Sequence, residues 1–481
     1  MYLGIDIGTS GVKAVLVDDD QRVMDQATSP LEVSRPRPLW SEQDPHDWWA
    51  ATDVAVKTLD AELRSGVKAV GLSGQMHGAT LLNASDAVIR PAILWNDGRS
   101  GEACAEMTEA LPELTGITGN LAMPGFTAPK LWWLRGHEPE KFGRVAKVLL
   151  PKDYMRLRMT GDYASDMSDS AGTLWMDVAA RDWSEAMLEL TGLTRAHMPE
   201  LFEGTEATGI LTQAVADAWG MARVPVAAGG GDNAAGAVGT GVVTPGEGFV
   251  SLGTSGVVFV ASEAYAPNTD GAVHTFCHAV PETWHQMSVI LSAASAVDFV
   301  AKVTGYERAS DLYDEVGKSA RPGQGAIFLP YLSGERTPHN DPNAKGAFWG
   351  LTHEDTPATL GQAALEGVAF ALADGLDAMR AAGVEVDSLD VIGGGSRSEW
   401  WGQVIAAAMD VPLVYRDASE VGPAFGAARL ARLADMGESV ESVCTPPPVS
   451  HTVEPDSGMV ALYAERRPLF SKLYRATKDL N

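Results

Sequence analysis

Cysteine is scarce: Cys104, Cys277 and Cys444 are the only three in 481 residues. An odd number at wide spacing makes no disulfide framework and no paired metal-ligand motif, and it suits a reducing compartment. Long apolar runs are missing as well, so no stretch reaches the length of a membrane span. The first residues, Met1 to Gly8, lack the basic start and extended apolar core of a secretory signal. Bases are few, with 36 Lys and Arg against 63 Asp and Glu and a formal net charge of −27. Such a surface repels nucleic-acid backbones and anionic lipid, so neither nucleic acid nor membrane is expected as a partner. The expectation is a soluble cytoplasmic protein.

What is present is an ordinary globular composition, 45% apolar and 21% charged, in a chain too long for one hydrophobic core. Leu3, Ile5 and Ile7 alternate as in a strand, Gly8-Thr9-Ser10-Gly11 supplies a turn, and a second apolar run reaches Val17. The same tetrapeptide returns near the middle of the chain as Gly253-Thr254-Ser255-Gly256, again between apolar runs. A repeat with matching flanks predicts two domains of one architecture, 1–240 and 241–481, meeting in the small-residue stretch between Gly236 and Gly246. Both halves carry strand-then-helix signals. Val67 to Leu72 leads into Gln75-Met76-His77-Gly78, Val224 to Val226 into Gly229-Gly230-Gly231-Asp232, and Leu389 to Ile392 into Gly393-Gly394-Gly395. Further helices are predicted over 358–382 and 457–480, and the fold class is α/β.

A tight turn of glycines and hydroxyl residues aims several backbone N–H groups at one point, which makes an anion nest. One such turn is most simply a hairpin; two matched turns from two domains read as a clamp on a polyphosphate. On this reading Gly8, Thr9, Ser10, Gly253 and Thr254 hold phosphate. Asp6, at the end of the first strand, is placed to hold Mg²⁺ beside it, although an Asp in such a place also caps turns. Lys13 follows the first nest and can neutralise phosphate charge. Asp232 stands where three glycines end and a helix begins, positioned either to accept a proton from an attacking hydroxyl or to cap the helix. Trp95 within Trp95-Asn96-Asp97-Gly98-Arg99 offers the aromatic face and polar groups that a sugar needs. Rival motifs fail. Gly317-Lys318-Ser319 lacks the earlier glycine of a P-loop, because position 312 is Leu, and His274 to His278 is too sparse for a metal site.

Asp6-Ile7-Gly8-Thr9-Ser10, the paired hairpins and Gly230-Gly231-Asp232 together resemble the FGGY carbohydrate kinases, which share a superfamily with actin and Hsp70. Gly125 to Leu134 is similar to one signature of that family, and Gly346 to Thr352 running on to Glu366-Gly367 is similar to the other. The resemblance implies two ribonuclease-H-like domains with a catalytic cleft between them, ATP and Mg²⁺ as cofactors, and a homodimer. Gln75-Met76-His77-Gly78, Asp166-Met167-Ser168-Asp169 and Ser333 to His339 resemble the bacterial pentulose-phosphorylating members, which implies D-xylulose plus ATP giving xylulose 5-phosphate plus ADP. Glycerol-specific members carry Arg-Glu where this chain has Met76-His77. Carried over position by position, the resemblance implies Asp232 as the base and Asp6 as organiser of Mg²⁺. Met76, His77, Trp95, Asp232 and Asn233 would hold the sugar, with Gly393, Gly394 and Ser398 near the adenosine. Another sugar or polyol, or an ATPase that switches partners, are the alternative readings.

Overall fold

In the computed structural model, residues 1–393, 395, 398–417 and 422–480 are described. The first hairpin pairs Tyr2–Ile7 antiparallel with Gly11–Val17, and Val23–Pro30 adds outside it. On its other side Tyr2–Ile7 runs parallel to Ala69–Gly74, which in turn runs parallel to Pro225–Ala227. Gly230–Gly231 also pairs with Ala69–Gly74, so the glycine run that precedes Asp232 is stitched to the sheet beside Ser73 and Gly74. The inner strands are buried along nearly their whole length rather than on alternate residues, as expected where helices cover both faces.

The second sheet repeats this plan. Gly248–Leu252 pairs antiparallel with Gly256–Ser262, followed outward by Trp284–Ile290 and His274–Cys277. On the other side Gly248–Leu252 runs parallel to Leu389–Ile392, which runs parallel to Leu413–Arg416. The repeated Gly-Thr-Ser-Gly turn thus opens the same hairpin in both sheets. The fold is a two-domain α/β one.

The predicted strand at Val67–Leu72 is found at Ala69–Gly74, because its pairing begins where Tyr2 meets Ala69 and ends where Ile7 meets Gly74. The long helix Pro357–Arg380 starts with proline in its first turn after a capping box between Thr356 and Thr359. The last helix, Ser457–Thr477, gives way to a 3-10 turn at Lys478–Leu480. The helix Pro423–Met436, although late in the chain, lies on the first sheet. Its Ala424, Phe425 and Ala428 share a buried cluster with Tyr2 and Ala69. The approach is so close that a Cβ on Gly71 would stand 1.8 Å from the Ala427 carbonyl oxygen. Among the described residues no helix is long and apolar enough to cross a membrane.

Candidate active site

Asp232 opens the helix Asp232–Thr240, and Gly231 occupies the N-cap position. Its side chain therefore does not cap the helix. Its Oδ1 accepts hydrogen bonds from the Asn233 backbone N at 2.8 Å and from Asn233 Nδ2 at 2.9 Å. The turn ahead of it needs glycine: Gly229 has φ +77, and a Cβ there would meet the Leu72 carbonyl oxygen at 2.0 Å. Ser168 Oγ takes the Gly231 N–H at 3.1 Å and bonds Asp166, which fixes the approach to Asp232 from the far side.

Asp232 and Asn233 line a cavity of about 180 Å³ together with Met76, His77 and Trp95, so five of the expected sugar-binding residues meet in one place. The second half of the chain supplies much of the rest of the wall: His274 and Phe276 from the second sheet, Ser255 from its hairpin turn, and Arg336 from a loop. The cavity is therefore built from both halves of the chain. Phe126 meets His77 edge-on at 4.8 Å between ring centroids.

His77 adopts a left-handed backbone, φ 68, which is strained for a side-chain-bearing residue. Its carbonyl is held by Lys130 Nζ at 2.7 Å and Thr127 Oγ1 at 3.3 Å. Both donors come from the helix Thr127–His137, so the first family signature buttresses this strained turn. His77 Nδ1 lies 2.7 Å from the Gly172 carbonyl oxygen and must donate to it. Burial pushes the imidazole down to about 3, helped by the charges of Lys130 and Arg336, so the ring is neutral and Nε2 is left as an acceptor.

Trp95 is 44% exposed on the cavity wall, and its Nε1 donates to Thr9 Oγ1 at 3.0 Å. Thr9 Oγ1 donates onward to Gln75 Oε1 at 3.0 Å, which ties the sugar-side loop to the first hairpin turn. The loop is braced by Arg99, whose Nη2 pairs with Asp97 at 2.7 Å and which stacks on Trp40.

The amides of Gly8 and Gly253 are spent inside their own turns, on the Gly11 and Ser255 carbonyls. Those of Thr9, Ser10, Thr254 and Ser255 meet no protein acceptor among the described residues. Each turn therefore offers a pair of adjacent N–H groups, the arrangement an anion nest needs. In the second turn the Gly253 and Thr254 carbonyls accept from Ala294 and Ala293, which turns them away from any phosphate.

Asp6 faces Lys13 across the antiparallel pair. Burial pushes its carboxyl up to about 6, with the Ser73 hydroxyl and the Lys13 charge opposing the rise. Asp6 Oδ1 has no hydrogen-bond partner among the described residues. Burial raises Asp232 further, to about 7, and the Asp6 charge adds to the rise. Two buried carboxylates, one raising the other beside a sugar-sized cavity, suit a base and a cation ligand.

Ser398 lines a separate, larger cavity of about 580 Å³ with Gly395, Tyr313 and Trp400. Gly393 packs against the strand end before Gly253, where a Cβ would come within 2.8 Å of the Leu252 carbonyl oxygen. Gly394 lies outside the described residues. Among the described residues, Ser398 is the expected nucleotide residue that lines this second cavity, and the expected phosphate residues Gly8, Thr9, Ser10, Gly253 and Thr254 line neither.

Sequence reasoning assigned no role to Phe126, Arg336, His274, Phe276, Met287, Val257 or Val289, and it took Ser255 only as part of the second phosphate turn. Phe126 and Arg336 sit inside quoted motifs, and His274 was weighed only as a metal ligand. Val257, Met287 and Val289 are strand residues whose inward orientation follows from sheet pairing alone, and no local pattern marks them.

Residues 1–239 match the N-terminal domain, and residues 248–434 the C-terminal domain, of the FGGY family of carbohydrate kinases. The chain is 54% identical to the xylulose kinase of Escherichia coli K12 over 99% of both chains. Its fold superposes on the crystal structure of a xylulose kinase from Brucella ovis with a TM-score of 0.97 and 51% identity, covering 100% of both chains. A xylulose kinase from Rhodospirillum rubrum matches with a TM-score of 0.92 at 27% identity, over 100% of this chain and 99% of that one.

Proposed function

The chain belongs to the FGGY family of carbohydrate kinases, and from that premise we propose that it transfers the γ-phosphoryl group of ATP to xylulose with Asp232 as general base. The observation that carries this reading is the convergence of Asp232, Asn233, Met76, His77 and Trp95 on one sugar-sized cavity. Asp232 takes the proton of the attacking C5 hydroxyl, and its raised pKa matches a base working near neutral pH. Asn233 holds Oδ1 in place, which leaves the second carboxylate oxygen for the substrate. Met76 and the aromatic wall cover the carbon chain, and His77 Nε2 accepts from a sugar hydroxyl.

The Thr9, Ser10, Thr254 and Ser255 amides grip the phosphates as charge shifts among their oxygens. Lys13 adds a point charge, not the bidentate fork of an arginine. Gly393, Gly394 and Ser398 are assigned to the adenosine, supported by the larger cavity at Ser398. Family members use a divalent cation, which we take to be Mg²⁺ here, and the unpartnered buried oxygen of Asp6 fits one. No group of three or more protein ligands exists among the described residues, so Asp6 would hold the ion together with ATP oxygens. When bound, the cation offsets charge on the β- and γ-phosphates.

We place the domain division at 240/241, directly after the Asp232 helix. Three buried free thiols support work in the cytoplasm. A homodimer rests on the family resemblance and is tested by native mass measurement.

Asp232→Ala tests the assignment. Turnover should fall roughly 10²–10⁴-fold while ATP affinity holds. Near-normal turnover would remove Asp232 from the chemistry.

A further inference from the structure

The polar groups around the 180 Å³ cavity differ sharply in the hydrogen bonds they have left to give. His77 Nδ1 is committed to the Gly172 carbonyl. Trp95 Nε1 is committed to Thr9, and one amide hydrogen of Asn233 to Asp232. Asn120 Nδ2 donates to the Thr118 and Thr275 carbonyls, so its Oδ1 is the acceptor for His274 Nδ1 at 3.1 Å. That fixes His274 Nε2 as an acceptor, and Arg336 Nη1 donates to it at 3.3 Å.

Three donors remain. Asn233 keeps a second amide hydrogen beside Asp232, and Ser255 keeps its hydroxyl at the tip of the second hairpin. Arg336 keeps four of its five N–H groups. Its backbone N donates to Glu335 Oε1 at 2.7 Å, but among the described residues its guanidinium forms no hydrogen bond except the one to His274, and no ion pair. The His274 ring that it meets stands 5.5 Å from both Phe126 and Phe276, which places Arg336 on the aromatic side of the cavity wall.

The substrate has a matching need. A 2-ketopentose closes its ring through O5, so the form phosphorylated at O5 is the open chain with a free carbonyl at C2. Every hydroxyl of that chain can donate to Asp232 or to His77 Nε2. The carbonyl oxygen can only accept, and it stands three carbons from the reacting end.

The geometry points to Arg336 as the residue that donates to the C2 carbonyl oxygen and selects the open-chain ketose. The Asn120–His274 pair is its positioning support. This rests on the reading of the cavity as the xylulose site.

Dissociation constants measured by calorimetry without nucleotide test it, using D-xylulose and the 2-deoxypentitol of the same C3 and C4 configuration, which has CH₂ in place of the carbonyl. Arg336→Gln should weaken D-xylulose roughly 10–100-fold and the deoxy compound less than about 3-fold, the size expected when a charged hydrogen bond is lost from one ligand only. Arg336→Lys, which keeps a charge but one point of contact, should fall between wild type and Arg336→Gln for D-xylulose. It carries the comparison if the glutamine variant does not fold. ATP affinity should not move in either. Equal weakening of both sugars, no weakening of D-xylulose, or a loss confined to ATP would each overturn the assignment. Wild-type protein that binds no D-xylulose would sink the functional reading and this inference together.

Discussion

Asp232→Asn should cost activity and add stability, in amounts that separate with pH. The amide keeps an oxygen where Oδ1 accepts from Asn233, so shape and both hydrogen bonds survive while charge and basicity go. Turnover should drop roughly 10²–10⁴-fold. Folding moves the Asp232 carboxyl from the ordinary 3.8 up to about 7. At 1.36 kcal/mol per pH unit that is a penalty of roughly 4 kcal/mol on the ionised folded state above pH 7. Water in the cleft screens part of it, so about half is expected, ~2 kcal/mol. The folded carboxyl holds its proton more tightly than the unfolded one. Wild-type stability from this group therefore falls as pH rises from about 4 through about 7, and the amide variant is spared that fall. Thermal unfolding at pH 5 and pH 8, without nucleotide or divalent cation, reads the difference. The variant's advantage should grow by about 1–2 kcal/mol between those pH values, which for a chain of this size is about 1–2 °C in Tm. A variant that is less stable than wild type by the same amount at both pH values would refute the reasoning, as would one that keeps normal turnover.

His77→Ala should raise the sugar KM at least roughly tenfold and leave the ATP KM in place, since one buried acceptor is lost. With the wild-type imidazole held down to about 3, the His77 ring signals in NMR should show no titration step near the ordinary histidine pKa; such a step would mean the ring is charged at rest. Gly426→Ala would set a Cβ 1.8 Å from the Ala235 carbonyl oxygen, on the helix that carries Asp232. It should cost roughly 1–3 kcal/mol and lower kcat, and unchanged kcat would show that the helix contact does not position the base. Lys152 reaches Asp153 at 2.5 Å, Asp166 at 2.7 Å and Asp169 at 3.4 Å, all fully buried. Lys152→Met strands those carboxylates and should destabilise by roughly 3–5 kcal/mol in denaturant unfolding; a neutral result would mean the aspartates are protonated in the native state.

The repeated Gly-Thr-Ser-Gly turn exposed the twofold plan because hairpins are local, and both hairpins stand where the repeat placed them. Asp232, Met76, His77 and Trp95 were legible because each follows a strand or a glycine turn, where ligands of α/β sheets gather. The other wall was not. His274, Phe276, Met287 and Val289 face the cavity because of how strands pair in the second sheet, and that pairing joins residues far apart in the chain. Whether Asp232 caps its helix was also closed to sequence, since one residue of register decides it, and Gly231 takes the cap position. The helix Pro423–Met436 on the first sheet is a tertiary contact that no local pattern announces.

The most direct test is ADP release from ATP with a divalent cation, measured with D-xylulose, L-xylulose, D-ribulose, glycerol, gluconate and no sugar. The account predicts rapid release with D-xylulose and little with the blank. Preference for another acceptor would keep the kinase and overturn the sugar, and equal release with and without every sugar would contradict the account outright.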